Sequence, residues 1–281
     1  MAIILDGKKL RDKILEKLAE EVKTFSSKPG LAVILVGDDA ASQVYVNNKK
    51  KISEKIGINS QIFHYPSNTQ ESVLIDKIEK LNNDNKVNAI LVQLPLPSHI
   101  SKENVINRID SNKDVDGFTY TNSGKLFVDN SGVVPCTPKG IVLLLNEYNI
   151  KIEGKHVVVV GRSNIVGKPM AQLMLQNNAT VTICHSKTSN LEQITRTADR
   201  LISAVGKQII TSNMVKSDCA VIDVGIFRDN SGKLRGDVDF ENVSKKVEYI
   251  SPVPGGVGPM TITGLRLNTV ELYKNMNSKN T

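Results

Sequence analysis

The chain is short of several things at once. It has no tryptophan, only six phenylalanines and six tyrosines, and three cysteines. Cys136, Cys184 and Cys219 are odd in number and hold no metal-ligand spacing, which excludes a cysteine metal centre and a disulfide framework. They read as small apolar core residues of a reducing compartment. No apolar run approaches the roughly 20 residues that span a bilayer, and MAIILDGKKL lacks the layout of a secretory signal. A soluble cytoplasmic protein without a membrane partner is therefore expected. The scarcity of aromatics bears on nucleic acid as well. Basic residues number 36 against 29 acidic ones, a net charge of +7, yet the lysines are scattered and no aromatic residues interleave a basic stripe. The surplus suits an acidic partner, and an anionic small molecule fits better than an oligonucleotide.

What is present is a regular alternation of strand and helix patterns, so the expected fold class is α/β in two domains. Asp6 can cap a helix to about Phe25, with Leu10, Ile14, Leu18 and Val22 on one face. Leu31 to Val36 is a continuous apolar run of strand length, as in a strand covered on both faces. Gln61 to Tyr65 and Ala89 to Val92 are further strands, and Asn68 with Glu71 resembles a capping box for a helix to about Leu81. Ser101 caps a helix to about Ile109. Gly124 to Cys136 reads as an irregular linker with a short strand, and Thr137-Pro138 as an N-cap with proline at the first helical position. Strands then follow at Lys155 to Val160, Thr180 to His185, Arg200 to Val205 and Ala220 to Val224, with a helix from about Lys168 to Gln176. Arg228 to Gly236 is a polar hairpin-like excursion. The expected division is 1–120 and 121–281, with a C-terminal helix at about 260–276 packing back on the first domain.

Four places carry candidate chemistry. In SQVYVNNKKKISEKIG, residues 42–57, a helical period brings Tyr45, Lys49, Ile52 and Ile56 within roughly 60° of one another. On spacing alone Lys49 either snorkels along that stripe to water or lines a cleft with a lowered pKa. Gln93 ends the third strand, where the prolines of QLPLP stop pairing, and ligands of open α/β sheets gather at that carboxyl edge. Asp116 lies in the polar loop DSNKDVDG, 110–117, which is either a turn rich in capping aspartates or an anion at the same edge. After the strand ending at Val160, the turn Gly161-Arg162-Ser163-Asn164-Ile165-Val166-Gly167 leads into a helix, the start of a dinucleotide-binding unit. Its spacing departs from G-x-G-x-x-G, because Ser163 replaces the second glycine and one residue is added. No acidic residue follows the next strand. Ser186, Lys187 and Arg162 are there instead, groups suited to a 2′-phosphate, so NADP is favoured over NAD. The corners Gly206 and Gly225-Ile226 can line the cofactor's far side, and Pro254, Gly255 and Gly256 open a rigid loop, 251–261.

Tyr45-x-x-x-Lys49, VQLPLP at 92–97, KDVDGF at 113–118, GRSNIVGKP at 161–169 and PGGVGPMT at 254–261 occur together and in order. In this the chain resembles bifunctional methylenetetrahydrofolate dehydrogenases/methenyltetrahydrofolate cyclohydrolases from about Leu5 to Tyr273. The resemblance implies an N-terminal folate-binding catalytic domain, a Rossmann-like NADP-binding domain, a cleft between them, and a homodimer. It implies Lys49 as base or water activator, Tyr45 stacked on the folate, Gln93 bonded to the lysine, and Asp116 anchoring the pterin. Gly161, Arg162, Ser163, Ser186 and Ile226 fall at cofactor positions, and the loop with Pro254, Gly255 and Gly256 at the substrate; no metal is implied. The positive surplus fits folates with glutamate tails. Two other functions stay open: a dehydrogenase with little cyclohydrolase activity, and a non-catalytic NADP-binding protein.

Overall fold

The computed structural model describes residues 1–37, 46, 50–129, 131–229 and 231–278. Tyr45 and Lys49 lie outside the described residues. By compactness the chain forms two units, Lys13–Val134 with Leu265–Thr281 and Met1–Asp12 with Pro135–Gly264. A single cut near 120/121 does not describe this division, because both ends of the chain change company. Among the described residues no helix is long and apolar enough to cross a membrane.

The chain opens with β1 (Ile3–Ile4) and α1 (Gly7–Lys23), whose N-terminus is capped as expected: the Lys9 N–H donates to Asp6 Oδ1 at 3.0 Å. The unit 13–134 holds β2 (Gly30–Val36), a helical turn α2 (50–55), β3 (Asn59–Tyr65), α3 (Glu71–Asn82), β4 (Ala89–Val92), α4 (Lys102–Asn107) and α5 (Tyr120–Val128). Its sheet is parallel, with order β3-β2-β4. All seven residues of β2 are buried, the reason its apolar run shows no alternation. Ala32, Ile34 and Val36 pack in one core with Leu74, Ile78 and Leu81 of α3 and Val105 of α4. Gly57 ends α2 with φ +88°, the left-handed stop expected of it. The described inward face of that segment is Val46, Ser53 and Ile56, with Ile52 half-buried.

Three local expectations are overturned. The stretch read as a linker with a strand, Gly124 to Cys136, begins inside α5, whose first turn is capped by Thr119 accepting from the Asn122 N–H at 3.2 Å. Glu71 closes no capping box: Gln70 is the N-cap of α3, and the Glu71 carboxylate accepts from Ser101 N at 2.6 Å and Asn104 Nδ2 at 3.0 Å, at the start of α4. The proline at 138 is not the first helical residue, since α6 (Cys136–Glu147) has Pro135 as its N-cap. Pro138 is still tolerated there, because the first N–H groups of a helix have no intrahelical partner.

The remaining elements of the second unit are β5 (His156–Val160), α7 (Gly167–Gln176), β6 (Thr180–Cys184), α8 (Leu191–Arg196), β7 (Arg200–Ser203), β8 (Ala220–Asp223), the hairpin β9 (Phe227–Arg228) and β10 (Leu234–Arg235), α9 (Phe240–Val243), β11 (Tyr249–Ile250) and the first part of α10 (Val257–Ser278). The six-stranded sheet runs β1-β11-β8-β7-β5-β6, with every pair parallel. From β5 the chain passes through α7 to β6 on one side, then through α8 to β7 on the other. That reversal makes the β5/β7 crevice a topological switch point, where α/β sheets bind ligands. Because α10 begins at Val257, the predicted loop 251–261 is a loop only as far as Gly256.

Candidate functional site

In the three-stranded sheet, Gln93 directly follows β4, and its N–H donates to Ile34 O of β2 at 2.8 Å. Its side-chain amide donates to Leu94 O at 2.7 Å. An isolated parallel bridge joins Ile90 to Asp114 on the other flank of β4. Two residues beyond this bridge come Val92 and Asp116, so Gln93 and Asp116 leave the same carboxyl edge on adjoining tracks. Both are half-buried.

The polar loop is a turn held by a capping aspartate, and Asp116 follows that aspartate toward the same edge. Asp114 is 1% exposed and its carboxylate accepts from Phe118 N (3.2 Å), Thr119 N (2.9 Å) and Asn122 Nδ2 (2.9 Å). Asp114 thus builds the turn that carries Asp116. Asp114→Ala would leave the Phe118 and Thr119 N–H groups without their acceptor and take one of two acceptors from the Asn122 amide, and urea unfolding should show a loss on the order of 3 kcal/mol. A loss under about 1 kcal/mol would mean that the turn is held by other contacts.

In the six-stranded sheet the predicted residues spread along one edge. Gly161 has φ +125°, and a Cβ there would lie 2.5 Å from Ala204 O. A Cβ on Gly167 would overlap Gly161 O, so backbone packs on backbone across the turn and only glycine fits at both ends. Ser163 Oγ, on an exposed side chain, accepts from Val166 N (3.2 Å) and Gly167 N (3.3 Å). Its hydroxyl hydrogen can still donate outward. The serine in place of the second motif glycine thus satisfies two N–H groups at the start of α7, whose N-cap is Val166. A glycine cradle of this kind, with an exposed hydroxyl at a helix N-terminus, fits a pyrophosphate.

Beside it, Gly161 N donates to Cys184 O at 2.9 Å, and Val160 pairs with Cys184 in register. Arg162 and Ser186 each lie two residues past that pair and both are exposed. Ile226, after β8, is 56% exposed. Val205, which the sequence did not single out, is 47% exposed after β7 at the switch point. Sequence reasoning misjudged Gly225. That residue is buried, and a Cβ on it would overlap the Asp237 carboxylate, so it makes room for an acid rather than a ligand. After β11 come Pro254, Gly255 (φ +116°) and Gly256; Gly256 O lies where a Cβ on Gly7 would go, so this loop packs on the start of α1.

Asp223, at the end of β8, is 3% exposed and stands beside the fully buried Asp237. Burial, with the charge of Asp237 adding to it, pushes its carboxyl up to about 7 against three backbone N–H bonds. Unfolded, the group titrates near 3.8. Folding thus favours its protonated form. The stability it contributes is complete below about pH 4 and is lost as pH rises through 7. Relative to Asp223→Asn, the wild-type protein should lose on the order of 4 kcal/mol between pH 4 and 8. Parallel pH profiles of the two urea midpoints would contradict this.

Comparison with known proteins follows the same two halves. Residues 5–116 match the family described as tetrahydrofolate dehydrogenase/cyclohydrolase, catalytic domain, and residues 135–277 match its NAD(P)-binding domain. The chain is 53% identical over 276 residues to the bifunctional protein FolD of Ligilactobacillus salivarius, covering 97% of each. It superposes with TM-score 0.96 and 50% identity on the FolD methylenetetrahydrofolate dehydrogenase/cyclohydrolase of Campylobacter jejuni, covering 98% of this chain and 100% of that one. The Trypanosoma brucei dehydrogenase-cyclohydrolase, solved with NADP and an inhibitor, gives TM-score 0.93 and 36% identity, covering 98% of each chain.

Proposed function

The chain belongs to the tetrahydrofolate dehydrogenase/cyclohydrolase family, and from that footing we propose that it oxidises methylenetetrahydrofolate with NADP and hydrolyses the methenyl product to formyltetrahydrofolate. One observation carries the reading: every described candidate residue stands at the carboxyl edge of a parallel sheet, where this fold class keeps its ligands. The folate unit is 5–116 and the NAD(P) unit 135–277.

NADP, when bound, would supply the hydride acceptor for oxidation of the one-carbon bridge to the methenyl level. Gly161 and Gly167 hold the backbone back from the pyrophosphate, and the Ser163 hydroxyl donates to it. Arg162 and Ser186 hold the 2′-phosphate, and Ile226 with Val205 supplies apolar contact. On the folate, the Asp116 carboxylate accepts from adjacent N–H groups of the aminopyrimidinone ring as a fork. Tyr45 stacks on that ring. For hydrolysis, Lys49 in its neutral form takes a proton from water as the water oxygen bonds to the methenyl carbon. The carbon–nitrogen bond then breaks as the new hydroxyl gives up its proton and the departing nitrogen takes one, leaving the formyl group. The Gln93 amide orients Lys49 and the water, and Pro254 to Gly256 shape the substrate side of the loop.

The basic surplus supports substrates with glutamate tails. Carried from the resemblance, the protein is also proposed to work in the cytoplasm as a homodimer, which sedimentation tests. The reading itself is tested by supplying methylenetetrahydrofolate with NADP or NAD in parallel. Faster reduction of NADP is expected; no reduction of either would refute it.

A further inference from the structure

Asp237 has no place in the chemistry above, yet few side chains here are tied so completely. It is 0% exposed and lies just past the polar hairpin β9–β10. Its backbone is fixed on both sides. The N–H donates to Asp223 Oδ1 at 2.8 Å, and the carbonyl accepts from Ile209 N (2.8 Å) and Ile210 N (3.0 Å). From that fixed point the carboxylate reaches the loop after β7 and gathers four donors. Ser203 Oγ (2.8 Å) and Val205 N (2.7 Å) donate to Oδ2; Gly206 N (2.8 Å) and Lys207 N (2.9 Å) donate to Oδ1.

Such a fan of three consecutive N–H groups is a nest, the backbone shape that ordinarily holds an anionic ligand. Here the chain supplies its own anion. Two glycines make this possible, since a Cβ on Gly225 would overlap the Asp237 carboxylate and one on Gly236 would overlap that of Asp223. Ionised carboxylates accept at four lone-pair sites and donate at none, which matches this donor set. The loop so held flanks the switch point and presents Val205, 47% exposed, opposite the glycine turn: Ala204 N donates to Val160 O at 2.8 Å, and a Cβ on Gly161 would meet Ala204 O.

We propose that Asp237 is a positioning residue for the dinucleotide, its carboxylate setting the 204–207 loop in the shape that receives the cofactor at the β5/β7 switch point. This rests on the reading of the site as an NADP site, and the experiment keeps the two apart. Asp237→Asn preserves size but turns an amide NH2 toward N–H donors, so the loop must shift. NADPH binding to the wild type and the variant is measured by fluorescence titration, alongside dehydrogenase and cyclohydrolase rates.

The expected result is a dissociation constant for NADPH, and a KM for NADP, raised about tenfold or more. Hydrolysis of supplied methenyltetrahydrofolate stays within about twofold of wild type, because that reaction uses the folate unit. Unchanged NADPH affinity with intact hydrolysis would overturn the proposal. If the variant loses cooperative melting, Ser203→Ala decides, since it removes one of the four donors and nothing else. A rise of about threefold in KM for NADP with normal hydrolysis supports the role, and no change overturns it. Should the wild type bind NADPH yet turn over no folate, the functional reading fails while the titration still judges Asp237.

Discussion

Lys49→Met should abolish hydrolysis of methenyltetrahydrofolate, by about a thousandfold or more, while NADP-dependent oxidation persists at a reduced rate. A positioned general base contributes roughly 10²–10⁴-fold to a proton transfer, and the methionine keeps the length and apolar stem of lysine without its amine. The two half-reactions differ in what they ask of residue 49. Hydride leaves the one-carbon bridge for the nicotinamide with no proton to accept, whereas addition of water to the methenyl carbon must release one. Lysine is an unusual base near neutrality because its amine titrates near 10.4 in water. In the proposed mechanism a cationic methenyl group beside it would disfavour the ammonium form and bring the amine into a useful range. Separate assays of the two half-reactions check the claim. Full hydrolysis in the variant would remove Lys49 from the mechanism, and equal loss of both reactions would make it a residue for binding folate.

Replacing Arg162 and Ser186 together by alanine should raise the KM for NADP on the order of tenfold to a hundredfold and leave that for NAD nearly unchanged. Hydrogen bonds to charged groups each contribute about 1.5–3 kcal/mol, and each 1.4 kcal/mol is a factor of ten. The two side chains leave the sheet side by side, since Val160 and Cys184 pair in register and Gly161 N bonds to Cys184 O at 2.9 Å. Both are exposed, so a 2′-phosphate held between them would keep contact with water, and the pair together is expected to contribute only about 1.5–3 kcal/mol. The adenosine 2′-hydroxyl of NAD offers no second charge for them to meet. Equal effects on the two cofactors would mean that the 2′-phosphate is held elsewhere.

Much of this was legible because the signals were local. The buried run of β2 and the strand, glycine turn and helix at 156–176 each carry their reason in their own residues. So does the carboxyl-edge place of Gln93, where β4 gives way to prolines. What could not be read depends on partners distant in sequence. Gly124 costs a helix about 1 kcal/mol against alanine, so 120–128 shows little helical signal; the helix is held through buried Asn122, whose amide reaches Asp114 Oδ2 and Ser111 O. Glu71 fits a capping box on spacing, yet its carboxylate is engaged 30 residues along, at Ser101. Nothing in the sequence singles out Asp237, which follows the polar stretch 228–236. Only the fold brings it against the loop of β7, and only the fold explains Gly225, which composition alone assigned to the cofactor.

The most direct test of the account is one time course with purified protein, methylenetetrahydrofolate and NADP, following NADPH, methenyltetrahydrofolate and formyltetrahydrofolate together. The account predicts that NADPH and formyltetrahydrofolate rise in step, with the methenyl compound staying low because the same protein consumes it. Methenyltetrahydrofolate accumulating mole for mole with NADPH, and decaying no faster than without protein, would contradict it.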